Sequence, residues 1–166
     1  MNVQVLITIT GMDQADLVKT LSHKTHALGG KWLNSKISHI DHYMAGLIKV
    51  ELPKLQLHAL LEEFRALPIQ VEWVELEKTA AKTKQLQLSI DTKDRAGLVR
   101  DISEILSNNS VVVDSMECNR VGVSGISDVV FTSRFLLSVS ENFDPQVLTS
   151  SLQEMQDELL IDITAA

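Results

Sequence analysis

Two short segments combine acidic and polar side chains with the beginning of an apolar helix pattern. Residues 13–18 read DQADLV, and residues 94–99, 81 positions later, read DRAGLV. A turn that leads into a helix presents backbone N–H groups that have no partner within the helix and carry partial positive charge. The carboxylate of a small ligand fits such a corner, and Gly97 would let it approach the backbone closely.

The same residues also have a purely structural interpretation. Aspartate is a common N-cap residue, so helix capping and chain reversal alone would explain Asp13 and Asp94. A carboxylate at either position would repel an incoming carboxylate and would instead accept an ammonium group. The residues alone therefore leave two interpretations open, a ligand site and a turn that only caps its helix.

The elements that position the first turn follow the order β-α-β-β-α-β. Apolar residues alternate over 3–9 as in a strand, a helix pattern over 17–28 ends at Gly29-Gly30, and two strands follow over 32–40 and 44–52. A second helix and a strand over 69–76 complete the half. The apolar faces of the two helices are predicted to be Leu17, Val18, Leu21 and Leu28 in the first, and Leu57, Leu60, Leu61 and Phe64 in the second.

The second half repeats this order. A strand over 86–90 and a helix over 98–106 precede two strands over 111–121 and 129–139, with a Gly/Ser-rich connection over 121–127. Asp144-Pro145 has the form of an N-cap followed by proline at the first helical position. The inner face of this last helix is predicted to be Leu148, Leu152, Met155 and Leu159.

The repeat predicts an α+β protein built from two ferredoxin-like (βαββαβ) domains. Each would be a four-stranded antiparallel sheet with two helices on one face. We expect the first domain over 1–78, a linker over 79–84 (TAAKTK) and the second domain over 85–166. Asn34-Ser35 aligns with Asp114-Ser115 at an offset of 80, which implies one deleted residue near the glycine pair.

Composition and charge exclude several classes of protein. The longest apolar runs fall well short of the roughly 20 residues that span a bilayer, and the single cysteine, Cys118, cannot form an internal disulfide, so we expect a cytoplasmic protein. The net charge is −7, and residues 85–166 hold 5 Lys and Arg against 13 Asp and Glu. That balance disfavours direct binding of nucleic acid and favours a basic protein partner.

Other constellations predict no catalytic or metal centre. The pairs His23/His26 and His39/His42 lack accompanying cysteines or a carboxylate-rich motif, and Cys118 has no neighbouring base. The sequence has no phosphate-binding loop, dinucleotide fingerprint or nucleophile elbow. An RNA-recognition module would need more aromatic and basic residues on its central strands, and an acylphosphatase-like enzyme would need an Asn to accompany Arg95. We therefore expect neither enzymatic activity nor a cofactor.

The segment DRAGLV resembles the D-R-P-G-L-V turn into the first helix of ACT domains, which are ferredoxin-like small-molecule sensing modules. The second copy has Ala96 in place of proline, and the first copy lacks both proline and glycine. Two copies in a short chain are similar to the glycine cleavage system transcriptional repressor family, as are the opening VLITITGMDQADLV and the strand WLNSKIS.

The resemblance implies a ligand site where a first-helix turn meets the second strand of a neighbouring module. Amino-acid-binding ACT domains have an Asn at the start of that strand, whereas the aligned residues here are Lys31 and Val111. The implied ligand is a small amino acid such as glycine. The candidate ligand-binding residues are Met12, Asp13, Gln14, Ala15, Asp16, Lys31, Asn34, Lys93, Asp94, Arg95, Ala96, Gly97 and Asp114.

The resemblance also implies a non-enzymatic regulator that acts through a protein partner such as a transcription factor. Exposed sheet edges in small units favour pairing, so we expect a homodimer. Two other functions stay open. One is a regulatory subunit of an amino-acid biosynthetic enzyme, and the other is an interaction scaffold without a ligand.

Overall fold

The computed structural model describes residues 1–77, 84–122 and 129–166. The chain divides into two compact units, Met1–Thr79 and Ala80–Ala166. Most of the predicted linker over 79–84 and most of the Gly/Ser-rich connection over 121–127 lie outside the described residues.

The first unit is one antiparallel sheet with strand order β2-β3-β1-β4 and two α-helices. Alternate residues of β1 are buried against the helices because successive strand side chains point to opposite faces of the sheet. The elements are β1 (Asn2–Met12), α1 (Leu17–Ala27), β2 (Lys31–Ile40), β3 (Tyr43–Pro53), a 3₁₀ turn (Lys54–Gln56), α2 (Leu57–Arg65) and β4 (Gln70–Glu75).

The second unit repeats this arrangement with strand order β6-β7-β5-β8, again antiparallel. Its elements are β5 (Lys84–Lys93), α3 (Leu98–Asn108), β6 (Val112–Gly122), β7 (Val129–Val139), α4 (Pro145–Gln153) and β8 (Leu160–Ala165). The predicted fold, two βαββαβ units of four strands and two helices each, is confirmed.

Each unit has its own core between the sheet and the helices. The predicted apolar face of α2, from Leu57 to Phe64, is buried, as are Leu148 and Leu152 of α4. The Asp144 cap is also confirmed, since its Oδ1 accepts a hydrogen bond of 2.9 Å from the N–H of Gln146.

Two helix predictions are wrong in detail. Val18 is 42% exposed, and Thr25 takes the buried position on α1 instead. The helix α4 ends at Gln153, so Met155 and Leu159 lie beyond it, although both pack against the core. Beyond the helix, the side chain of Gln156 donates hydrogen bonds to Thr92 Oγ1 (2.8 Å) and to the carbonyl of Lys93 (3.2 Å).

The predicted offset of 80 between the two edge strands is also wrong. The register of β2 with β3 skips Leu33, and the register of β6 with β7 skips Asp114. Each is the extra residue of a β-bulge, and the two bulges are 81 positions apart, like the two turns. Asp114 therefore corresponds to Leu33, Asn34 corresponds to Ser115, and no residue is deleted near the glycine pair.

Candidate functional site

The first turn joins β1 to α1 and leaves the start of the helix without a side-chain cap. Asp16 occupies the N-cap position with φ 62° and ψ 11°, which is left-handed, and its side chain makes no capping hydrogen bond. Its carbonyl accepts the N–H of Thr20 at 2.8 Å, so the helix begins directly after it. Ala15 precedes it on the exposed surface of the turn.

Three contacts hold this turn in place. The N–H of Asp13 donates to the carbonyl of His42 at 2.8 Å, and Asp13 Oδ1 lies 3.2 Å from His39 Nε2. Gln14 Nε2 donates to the carbonyl of Pro68 at 3.3 Å. The turn is therefore tied both to the β2–β3 hairpin and to the loop between α2 and β4.

A cleft of about 440 Å³ opens beside this turn. Its ionisable lining residues are Asp13, Asp16, Lys19 and His39, and Lys19 has no ion-pair partner among the described residues. The lining residues are Asp13, Gln14, Asp16, Leu17, Val18, Lys19, His39 and Met44.

A larger and mostly apolar cleft, of about 740 Å³, lies at the same end of the first unit. Met12 lines this cleft instead of the cleft at the turn, together with Tyr43, Leu67 and Ile69. Met44 lines both clefts, so they are adjacent.

The second turn has the same backbone form with different surroundings. Gly97 is left-handed at the N-cap of α3, with φ 84° and ψ 1°. The N–H of Asp94 donates to the carbonyl of Val129 at 2.8 Å, and its two carboxylate oxygens accept from Arg120 Nε at 3.1 and 3.0 Å. The guanidinium carbon of Arg120 also lies 5.5 Å from the ring centre of Phe131, within the range of a cation–π contact.

The side chain of Arg95 makes three hydrogen bonds at the second turn. Its Nε donates to Gln156 Oε1 at 2.7 Å, and its Nη1 donates to Asp101 Oδ2 at 2.7 Å and to the carbonyl of Ala96 at 3.1 Å. Hydrogen bonds from Arg100 and from Arg95 hold the pKa of the Asp101 carboxyl below its ordinary value. The charged groups of this turn are thus satisfied by one another.

The predicted strand residues of the first unit lie far from the turn of that unit. Lys31 is in register with Gln4 through β3, and Asn34 is in register with Leu6. At about 3.4 Å per residue, the cross-strand rows of these residues are about 20 to 27 Å from Met12, at the end of β1. One unit alone does not bring them together with its turn.

Asp114 is likewise engaged at the far end of its own sheet. Its Oδ2 accepts hydrogen bonds from Gln85 Nε2 at 3.2 Å and from Ser138 Oγ at 2.6 Å. Gln85 lies near the start of β5, whereas the second turn follows the end of that strand. Lys93, the last residue of β5, contributes its carbonyl to Gln156.

Solved structures match the chain over its whole length, although no protein-family model and no curated protein matches it. An unknown protein from Galdieria sulphuraria is 13% identical with a TM-score of 0.87, and the match covers 100% of this chain and 99% of that one. A candidate glycine cleavage system transcriptional repressor is 11% identical with a TM-score of 0.73 over the same shares. The chain therefore has the fold of these solved structures, two ferredoxin-like βαββαβ units in tandem. At these identities, the matches establish the fold alone.

Some residues outside each turn that complete its surroundings were not predicted from the sequence. In the first unit these are His39, whose side chain reaches Asp13, and Lys19 on α1. In the second they are Arg120 and Gln156. A signal existed for His39, because the pairing of β1 with β3 and of β3 with β2 places the hairpin tip beside the first turn.

The remaining candidates have ordinary surroundings in the two units. Within residues 1–77, 84–122 and 129–166, no group of three His, Cys, Asp or Glu side chains could hold a metal ion. Burial raises the pKa of the Cys118 thiol, which favours its protonated, unreactive form. No helix in this part of the chain is long and apolar enough to cross a membrane.

Proposed function

We propose that the chain is a non-enzymatic regulatory protein that binds a small amino acid at the first turn. The observation that carries this proposal is the uncapped start of α1, which opens onto a cleft that contains both acidic and basic groups. The second turn offers less to a ligand because Arg95, Asp101 and Gln156 already satisfy one another.

The chemistry of the cleft suits a molecule that carries both charges. The helix N-terminus and Lys19 attract a carboxylate, and Asp13 or Asp16 can accept an ammonium group. The volume of about 440 Å³ lies within the usual range of small-molecule sites. A small amino acid such as glycine meets these requirements.

A thermal-shift screen of the full chain against the twenty amino acids at millimolar concentration tests this proposal. A ligand that binds the folded state raises the melting temperature. We expect a small amino acid to do so, and we expect Lys19→Gln to reduce the shift while Lys54→Gln, an exposed lysine outside the cleft, leaves it unchanged. No shift from any amino acid would overturn the proposal.

We further propose that the bound state changes affinity for a protein partner, as in a transcription regulator. The similarity to a candidate glycine cleavage system transcriptional repressor supports this role, and the acidic second half supports a basic partner. Capture from native lysate with and without the identified amino acid tests it. A transcription factor is the expected partner, and a biosynthetic enzyme in its place would support a regulatory subunit instead.

A further inference from the structure

The second unit carries a concave polar area on the sheet face that points away from its helices. Leu88 and Ile90 of β5 are buried in the core. Ser89, which lies between them, and Asp91, which follows Ile90, therefore point to the opposite face of the sheet. The cavity there is about 350 Å³. Its lining, hereafter the sheet-face basin, is Ser89, Asp91, Glu117, Asn119, Thr132, Ser133 and Arg134.

Strand register places the charged groups of the basin in a compact grid. Glu117 lies directly opposite Arg134, and Arg134 lies opposite Ser89. Two residues before Arg134 on β7, Thr132 lies opposite Asp91 of β5 on one side and opposite Asn119 of β6 on the other. Neighbouring strands are about 4.8 Å apart, and the two acidic residues lie on the two strands that flank the strand of Arg134.

These charges are not neutralised by their surroundings. Neither Arg134 nor Asp91 has an ion-pair or hydrogen-bond partner among the side chains of the described residues, and Glu117 accepts one hydrogen bond of 3.3 Å from Asn119 Nδ2. All three charged residues are exposed. The lining of the basin therefore presents two negative groups and one positive group, and Asp162 of β8, opposite Ser89 in the same cross-strand row, adds a carboxylate at its margin.

The first unit lacks this arrangement at the same register positions. Leu47 occupies the place of Arg134, Thr10 that of Asp91, and Lys36 that of Glu117. The charged grid is thus specific to the second unit and is not a consequence of the shared fold.

We propose that the sheet-face basin binds a dibasic amino acid, independently of the site at the first turn. Such a ligand carries two positive groups and one negative group, which complements the charges of the basin. Arg134 holds the ligand carboxylate, while Asp91 and Glu117 hold its two cationic groups. Asp91 on β5 and Glu117 on β6 are separated by two strand spacings, about 10 Å. An extended dibasic amino acid can contact both carboxylates across this distance.

Amide chemical shifts of the full ¹⁵N-labelled chain test this site residue by residue. L-lysine is expected to shift the amides of Ser89, Asn119 and Thr132 in a saturable manner. L-norleucine lacks the side-chain ammonium group and 1,5-diaminopentane lacks the carboxylate, so each is expected to bind at least tenfold more weakly. Equal binding of the diamine would show a site for cations alone and would overturn the proposal.

A variant taken from the first unit sharpens the experiment. Arg134→Leu introduces the residue that the first unit has at this position, and it should lower L-lysine affinity at least tenfold while abolishing the preference for L-lysine over the diamine. Lys49→Leu, on the open sheet face of the first unit, is the matched control and should leave affinity unchanged. Unchanged affinity in Arg134→Leu, or no saturable shift in the basin, would refute the site. The amides of Asp13 and Gln14 report the first turn separately in the same spectra.

Discussion

At the scale of single residues, the N-cap residues of the two turns share one backbone conformation, but the free-energy cost of that conformation differs between them. Gly97 and Asp16 are both left-handed, with φ 84° and 62°. Glycine adopts this conformation freely, whereas a side chain brings Cβ close to the following carbonyl oxygen. Aspartate is among the residues that tolerate it, so the first turn keeps its form and gains a carboxylate beside the cleft.

Gly97→Ala is expected to lower the free energy of unfolding by about 1–2 kcal/mol, the cost of a left-handed residue with a Cβ. A Cβ added there would lie 3.4 Å from Arg100 Nη2, an ordinary contact, so backbone conformation alone is responsible. Gly122→Ala serves as the control because a Cβ there meets nothing within 4 Å. Urea unfolding measures both variants, and equal effects would contradict this explanation.

Asp101→Asn is expected to destabilise the chain at neutral pH and to have progressively less effect in acid. Hydrogen bonds from Arg100 and Arg95 lower the pKa of Asp101 in the folded state. A lowered pKa contributes stability that is present above the ordinary carboxyl pKa of about 3.9. That stability is lost as the pH falls through the lowered folded value.

Urea unfolding of the wild-type chain and of Asp101→Asn between pH 7 and pH 3 checks this dependence. Glu141→Gln, an exposed carboxylate in the loop between β7 and α4, is the control. If the difference in the free energy of unfolding between the wild-type chain and Asp101→Asn stays constant down to pH 3, the proposed ionic contribution of Asp101 is excluded.

At the scale of elements, periodicity predicted nearly every strand and helix, because burial on one face imposes a period of 2 or 3.6 residues. Periodicity failed where a contact between residues distant in sequence determines the local path of the chain. The segment after α4 is bonded to β5 through Gln156, and the edge strands β2 and β6 each contain a β-bulge that the sequence pattern does not reveal. The Arg95 network was missed for the same reason, since its partner Gln156 is 61 positions away.

The connection between α1 and β2 gives a prediction at this scale. A Cβ on Gly30 would lie 2.7 Å from Thr25 Cγ2 and 3.0 Å from the Thr25 carbonyl. Thr25 is buried, and its hydroxyl donates to the carbonyl of Leu21 and accepts from Trp32 Nε1. Gly30→Ala is therefore expected to destabilise by about 1–3 kcal/mol through overpacking.

A double-mutant cycle identifies the responsible contact. Thr25→Ser removes Cγ2 and keeps the hydroxyl, so Gly30→Ala should cost less in the Thr25→Ser background than in the wild-type chain. Unfolding in urea measures all four proteins. Strictly additive effects would show that the methyl group of Thr25 is not the obstacle.

At the scale of the whole molecule, the chain has two hydrophobic cores and not one. Phe64 in the first and Phe131 in the second are both fully buried, so each Phe→Ala change should cost about 3–5 kcal/mol within its own unit. Both tryptophans, Trp32 and Trp73, belong to the first unit. Tryptophan fluorescence therefore reports the first core, whereas far-ultraviolet circular dichroism reports both.

Phe64→Ala is expected to shift the thermal transition seen by fluorescence more than Phe131→Ala does, while both variants change the transition seen by circular dichroism. The two phenylalanines act as controls for each other. Identical fluorescence shifts would mean that the chain melts as one cooperative body.

The bulges at Leu33 and Asp114 also show which position of this fold tolerates a change of side-chain chemistry. Both halves carry an additional residue at the same point of the same edge strand, although the residues themselves differ. The extra residue of a bulge stands outside the regular pairing of its strand, so its side chain can differ while the sheet keeps its form. The first unit has an apolar residue there, and the second has a carboxylate that accepts hydrogen bonds from Gln85 and Ser138.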